Sequence, residues 1–202
     1  MSGNLLSHSN SFGFEMEKDA AGCRALNRNF IVGGEFTMSM KYREASMQDV
    51  ELAWEKNLKD NPGDGRWIAW REQYLEYNQN GQGKTFVAVW NDQIAGEGTL
   101  LFSPLCGAIR GRTQLADEST VANVNALRMD KAFEGQGHMS KLVHLMEETA
   151  SQLGYQYVTI GVEAKETRNL AIYLHWGYTE FVLSEIEDGE LVLYYRKKLK
   201  YN

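Results

Sequence analysis

Apolar residues recur at three- and four-residue intervals in three stretches of the chain, the period of an amphipathic helix. Met47, Val50, Trp54 and Leu58 form the first stripe. Ser46 precedes it with Asp49 three residues on, the pattern of a helix N-cap. Trp67, Trp70, Tyr74 and Tyr77 form the second, which begins near Arg66 and stops at Asn80-Gly81-Gln82-Gly83. The breaker Asn61-Pro62-Gly63-Asp64-Gly65 separates the two. Met139, Leu142, Val143, Met146, Ala150 and Leu153 form the third and most continuous stripe, and Gly154 supplies its stop. A shorter helix is predicted over residues 166–176, closed by Gly177.

Strand-like runs fill the intervals. They are predicted at residues 41–45, 85–90, 93–102, 120–129, 157–162, 180–185 and 191–197, with tight turns at Asn91-Asp92 and Asp188-Gly189. Residues 103–119 read as a long loop. Antiparallel strands come first and one strand–helix–strand unit sits centrally, so the order predicts an α+β, or mixed α/β, three-layer sandwich. Residues 1–39 hold neither period. They are expected to be an N-terminal extension or leader, with the folded domain spanning 40–202.

Composition narrows the function. With 202 residues, 43% hydrophobic and 11% aromatic, the chain can bury a sizeable core. A formal net charge of −6 would repel a phosphate backbone, so no nucleic-acid partner is expected, and a cationic substrate is favoured over an anionic one. Cys23 and Cys106 cannot build a disulfide framework, and His8, His138, His144 and His175 lack metal-ligand spacing, so no metal site is predicted. No window approaches the ~18 apolar residues of a membrane span, so the expected location is the cytoplasm, without membrane partners.

The chemistry-bearing segment is the turn Glu134-Gly135-Gln136-Gly137-His138, which leads from a strand directly into the strongest helix. Two glycines allow backbone conformations that other residues resist, and the unpaired N–H groups of a helix N-terminus form a cradle for phosphate. Other phosphate motifs do not fit. Gly83-Lys84-Thr85 resembles the end of a P-loop, but the earlier glycine position holds Asn78 and the pair leads into a strand. The dinucleotide fingerprint fails because its third glycine position holds Ser140.

The segment from Leu127 through Met129, Asp130, Glu134, Gly135, Gln136, Gly137 and His138 to Met139 resembles the acetyl-CoA motif of GNAT acyltransferases. Ala171-Ile172-Tyr173-Leu174-His175-Trp176-Gly177-Tyr178 resembles that family's second signature, and the spacing suits one helix and one strand between them. The departures are Glu134 where glutamine or arginine is usual, Met139 for a small residue, Glu166 where asparagine is frequent, and Asn169 for alanine. The resemblance covers roughly residues 40–200. It implies a central mixed, mostly antiparallel sheet flanked by helices. It further implies direct acetyl transfer from acetyl-CoA, as cosubstrate, to an amine acceptor, with a homodimer allowed.

Several roles follow from that resemblance. Leu127, Arg128, Met129, Glu134, Gly135, Gln136, Gly137, His138, Met139, Ser140, Asn169 and Tyr173 would hold the cofactor. Leu127 and Met129 would pair with the pantetheine arm through their backbone. Tyr173 would protonate the leaving thiolate. The strand before the turn carries Asn123 and Asn125, neither of which can act as a base, so Glu97 and Glu163 are the candidate bases. One or two of the aromatic rings on the second helix would line an amine pocket through cation–π contact. The expected acceptor is a small amine. The alternatives are a protein N-terminus or lysine, or an acyl-CoA-binding module with weak catalysis.

Overall fold

The computed structural model describes residues 39–200, so all but one residue of the expected leader lie outside it. Seven strands form one sheet: β1 (Lys41–Glu44), β2 (Gly83–Trp90), β3 (Gln93–Leu101), β4 (Val121–Met129), β5 (Tyr157–Glu163), β6 (Glu180–Glu187) and β7 (Glu190–Lys198). Their spatial order is β1-β2-β3-β4-β5-β7-β6, and every pairing is antiparallel except β4 with β5. The helices are α1 (Met47–Asp60), α2 (Arg66–Asn80), α3 (His138–Gln152) and α4 (Thr167–His175). The single parallel pair is the one joined by a helical crossover through α3, as a parallel connection requires.

Each helix packs the face its sequence made apolar. Val50, Ala53 and Trp54 of α1 are buried, and the capping box forms as expected: the Ser46 hydroxyl accepts from the Asp49 amide while Asp49 accepts from the Ser46 amide. Leu142, Val143, Met146 and Ala150 of α3 meet Phe86, Leu100 and Val124 on one face of the sheet, with Tyr173 of α4 against the same cluster. On the opposite face, Trp54, Tyr74 and Tyr77 meet Leu101 and Tyr194. Neighbouring residues such as Leu100 and Leu101 thus serve opposite cores, which follows from the two-residue period of a strand. The result is the three-layer sandwich.

Residues 103–119 are more than a surface connection. Cys106, Ile109, Leu115 and Ala116 are fully buried in the α1–α2 core, and the segment closes on itself through successive turns. Its apolar residues follow no regular period because no regular element carries them. Among the described residues no helix is long and apolar enough to cross a membrane, and no cluster of three or more histidine, cysteine or acidic side chains could hold a metal ion.

Candidate active site

The parallel pairing of β4 with β5 ends at Val124 and Ile160. Just beyond, Ala126 takes a left-handed conformation with φ of 52°, and the β3–β4 register slips between Glu97 and Thr99. This is a β-bulge, which bends the strand. Its turned amide is satisfied locally, because Ala126 donates to Asn125 Oδ1 at 2.9 Å. Gly98 lies opposite, where a Cβ would come within 2.6 Å of Leu127 Cδ2, so any larger residue would push the Leu127 side chain aside. From Asn125 onward β4 has no strand partner on its β5 side, and a notch of about 280 Å³ opens there, lined by Asn125, Leu127, Glu163, Tyr173 and Tyr194 among others.

A groove of about 530 Å³ runs from the notch to the start of α3. Leu127, Met129, Glu134, Gly135, Gly137, His138, Met139, Ser140, Asn169 and Tyr173 line it, so ten of the twelve expected cofactor residues converge. Gly135 and Gly137 have φ of 73° and 79°, and nothing stands within 4 Å of where their Cβ atoms would be. The backbone is therefore open to close approach on that side. The first amides of α3 lie beyond the reach of any helical carbonyl and are free to bind an anion. His138 is anchored from β1: its Nδ1 lies 2.5 Å from the Tyr42 hydroxyl.

Two expected residues behave otherwise. The Gln136 amide donates to the Ala132 carbonyl at 2.8 Å and its side chain does not line the groove. The Arg128 side chain lies on the opposite side of β4, leaving only its backbone near the groove. Arg168 lines the groove and was missed by sequence reading. It adds a positive charge to the groove that Glu134 also lines. Only its place at the start of α4, five residues before Tyr173, could have pointed to it.

Tyr173 lines both the groove and the notch. Burial pushes its hydroxyl above the usual tyrosine range, and the negative charge of Glu166 adds to the effect. It is therefore protonated near neutral pH. Glu163 lines the notch with it, half-exposed, with Lys165 Nζ at 3.0 Å. Glu97, the other candidate base, reaches neither groove nor notch. It is 3% exposed, accepts from Asn57 Nδ2 at 2.5 Å, and pairs with Arg128 at 2.9 Å. Both partners bind its Oε1, so the carboxylate holds Arg128 in place, and Glu97 lines neither the groove nor the notch. Asn123 and Asn125 are likewise occupied: Tyr74 donates to Asn125 at 2.6 Å, Asn125 to Asn123 at 3.0 Å, and Asn123 to Thr159 at 2.9 Å.

On the far side of the bulge the notch meets a hollow of about 390 Å³, with Asn125 and Tyr194 lining both. Its walls come from α1, α2, the 103–119 segment and the β6–β7 turn. The Tyr194 hydroxyl donates to Glu187 at 2.6 Å, and Arg112, buried beneath, pairs with the same carboxylate. Burial raises the Tyr194 hydroxyl well above its ordinary range, with the Glu187 hydrogen bond acting in the same direction. Trp70 and Tyr74 line this hollow, as expected of one or two rings of the second helix, while two tryptophans of α2 already have internal cation partners. The Arg128 guanidinium lies 4.9 Å from the ring centres of both Trp54 and Trp67, and Arg66 lies over Trp70.

Residues 42–178 match the family model described as Acetyltransferase (GNAT) family. The chain belongs to the GNAT acetyltransferase family. It is accordingly an acyltransferase, and the seven-stranded sheet with its bulged β4 is the GNAT fold. No curated protein is a significant sequence match. Solved structures show the shared fold at low identity. A spermidine N-acetyltransferase chimera from Vibrio cholerae and hSSAT superposes with a TM-score of 0.58 at 13% identity, covering 79% of this chain and 95% of that one. A ribosomal-protein-alanine N-acetyltransferase from Brucella melitensis gives 0.57 at 18% identity, covering 79% and 99%. The PaiA N-acetyltransferase from Thermoplasma acidophilum, solved in complex with coenzyme A, gives 0.53 at 14% identity, covering 80% and 99%. GNAT acetyltransferases of this fold thus include enzymes named for small-molecule and for protein acceptors.

Proposed function

We propose that this GNAT acetyltransferase moves the acetyl group of acetyl-CoA directly to the amine of a small molecule. The observation that carries the reading is the position of Tyr173, which borders both the groove at the start of α3 and the notch that opens onto the hollow. Acetyl-CoA supplies an activated thioester. The α3 amides beyond Gly135 and Gly137 bind its pyrophosphate, and Arg168 offsets the acid at Glu134. The free edge of β4 at Leu127 and Met129 hydrogen-bonds the pantetheine arm.

The acceptor nitrogen attacks the thioester carbonyl carbon from the hollow, and the carbon–sulfur bond breaks. Tyr173 gives its proton to the departing sulfur. The proton lost by the acceptor amine passes to Glu163 through water and returns to solvent. Tyr173 is then reprotonated. A small acceptor is favoured because the hollow is walled on several sides rather than laid out as an open surface cleft. A thiol-release assay with acetyl-CoA and a panel of amines tests this. Acetyl-CoA-dependent release with at least one small amine is expected. Release only with peptide N-termini or lysine side chains would move the acceptor to the protein class.

A further inference from the structure

The acceptor hollow carries donors that no described residue accepts from. Trp54 is 1% exposed, lines the hollow, and its Nε1–H has no partner among the described residues. An unpartnered buried N–H of this kind costs free energy unless something else accepts from it. Arg128 lines the same hollow and spends one nitrogen, Nη1, on Glu97. Its remaining guanidinium donors have no partner among the described residues. Arg110, at the rim, makes only long ion pairs, 3.9 Å to Asp188 and 4.0 Å to Glu187, and is half-exposed.

The acids of the hollow are already matched. Glu187 accepts from both Arg112 and Tyr194, and Asp188 has Arg66 within 3.7 Å. Of the aromatic rings that line the hollow, Trp54, Trp70 and Tyr194 already have a guanidinium over them, from Arg128, Arg66 and Arg112. An arriving ammonium alone would meet guanidinium charge, while a carboxylate would meet two arginines able to bind it.

Resting on the acetyl-transfer reading above, we infer that the acceptor is an amine that also carries a carboxylate, an amino acid or close derivative. Its carboxylate sits among Trp54, Arg110 and Arg128 while its nitrogen points past Asn125 into the notch. The overall charge of −6 does not decide this, because the lining of the hollow is balanced, with Arg110 and Arg128 against Glu187 and Asp188, and both acids already have arginine partners.

The experiment compares α-, β- and γ-amino acids, each against its own primary amide, which keeps the amine and removes the charge. For at least one pair the acid is expected to exceed the amide in kcat/KM by about tenfold or more, the size of a charge-assisted contact. Arg110→Gln and Arg128→Gln should each bring that ratio toward one. Arg110 is half-exposed, so its variant remains informative if loss of the Glu97 partner destabilises the Arg128 variant. A wild-type ratio at or below one for every pair, or a ratio that survives both substitutions, overturns the inference while leaving acetyl transfer intact. If no member of any pair turns over, calorimetry on the CoA-saturated protein decides: binding of an acid but not its amide supports the inference, and no binding overturns it. Failure to bind CoA at all would remove the acetyl-transfer reading, and this one with it.

Discussion

The groove at the start of α3 and the hollow beneath α1 and α2 meet through one notch, yet they are made of different material. What the groove offers a phosphate and an extended arm is backbone: two glycines at positive φ, the free amides of a helix, and the open edge of β4. The hollow is side chains brought from α1, α2, the 103–119 segment, β4 and the β6–β7 turn. A backbone site suits a ligand part that is always the same, and it can be described by where glycines and a helix start fall. A side-chain site can be re-specified residue by residue, which is how one fold serves acceptors as different as spermidine and a ribosomal protein.

Substitutions can test whether the two regions separate as cleanly as their construction suggests. The largest effect is expected at Gly137. Leucine there must adopt a left-handed backbone and fill the side from which phosphate approaches, so the CoA dissociation constant should rise on the order of 100-fold by calorimetry. Thermal stability should change far less. A CoA affinity close to wild type would mean that the amides of α3 are not the anchor.

A smaller effect is expected where the 103–119 segment enters β4. Burial alone would raise the Asp117 carboxyl, but hydrogen bonds from Thr120, Val121 and Ser119 outweigh it and hold the group at about 2, below its ordinary 3.8. A depressed folded pKa stabilises above the unfolded value, so this contribution is complete above about pH 4 and is lost as pH falls through about 2. Asp117→Asn should cost about 1–2 kcal/mol in urea unfolding at neutral pH and flatten the acid limb of stability. Equal acid sensitivity in both proteins would reject the assignment. The smallest effect is expected from Tyr42→Phe, which removes the hydroxyl beside His138 and should cost about 1 kcal/mol. CoA affinity should weaken a few-fold, with the acceptor KM unaffected.

The difference between the regions also explains what could be read in the sequence. The stripe of α3, the Ser46–Asp49 cap and the turn at Asn91-Asp92 are local patterns, and each became the expected element. The glycine turn and Tyr173 are likewise short-range signatures, so ten expected residues converge on one groove. The hollow depended on distant pairings. Arg128 with Glu97, Glu97 with Asn57, and Arg112 with Glu187 join residues 31, 40 and 75 positions apart, and no spacing rule connects them. For the same reason Glu97 read as a candidate base, and which of the α2 rings would line the acceptor hollow could not be chosen; Trp70 and Tyr74 do.

The claim that groove and hollow are joined through Tyr173 is tested most directly by measuring kcat and the acetyl-CoA dissociation constant side by side for Tyr173→Phe. Loss of the proton donor should lower kcat about 100-fold or more while the dissociation constant stays within about twofold. An unchanged kcat would remove Tyr173 from the chemistry and contradict the account.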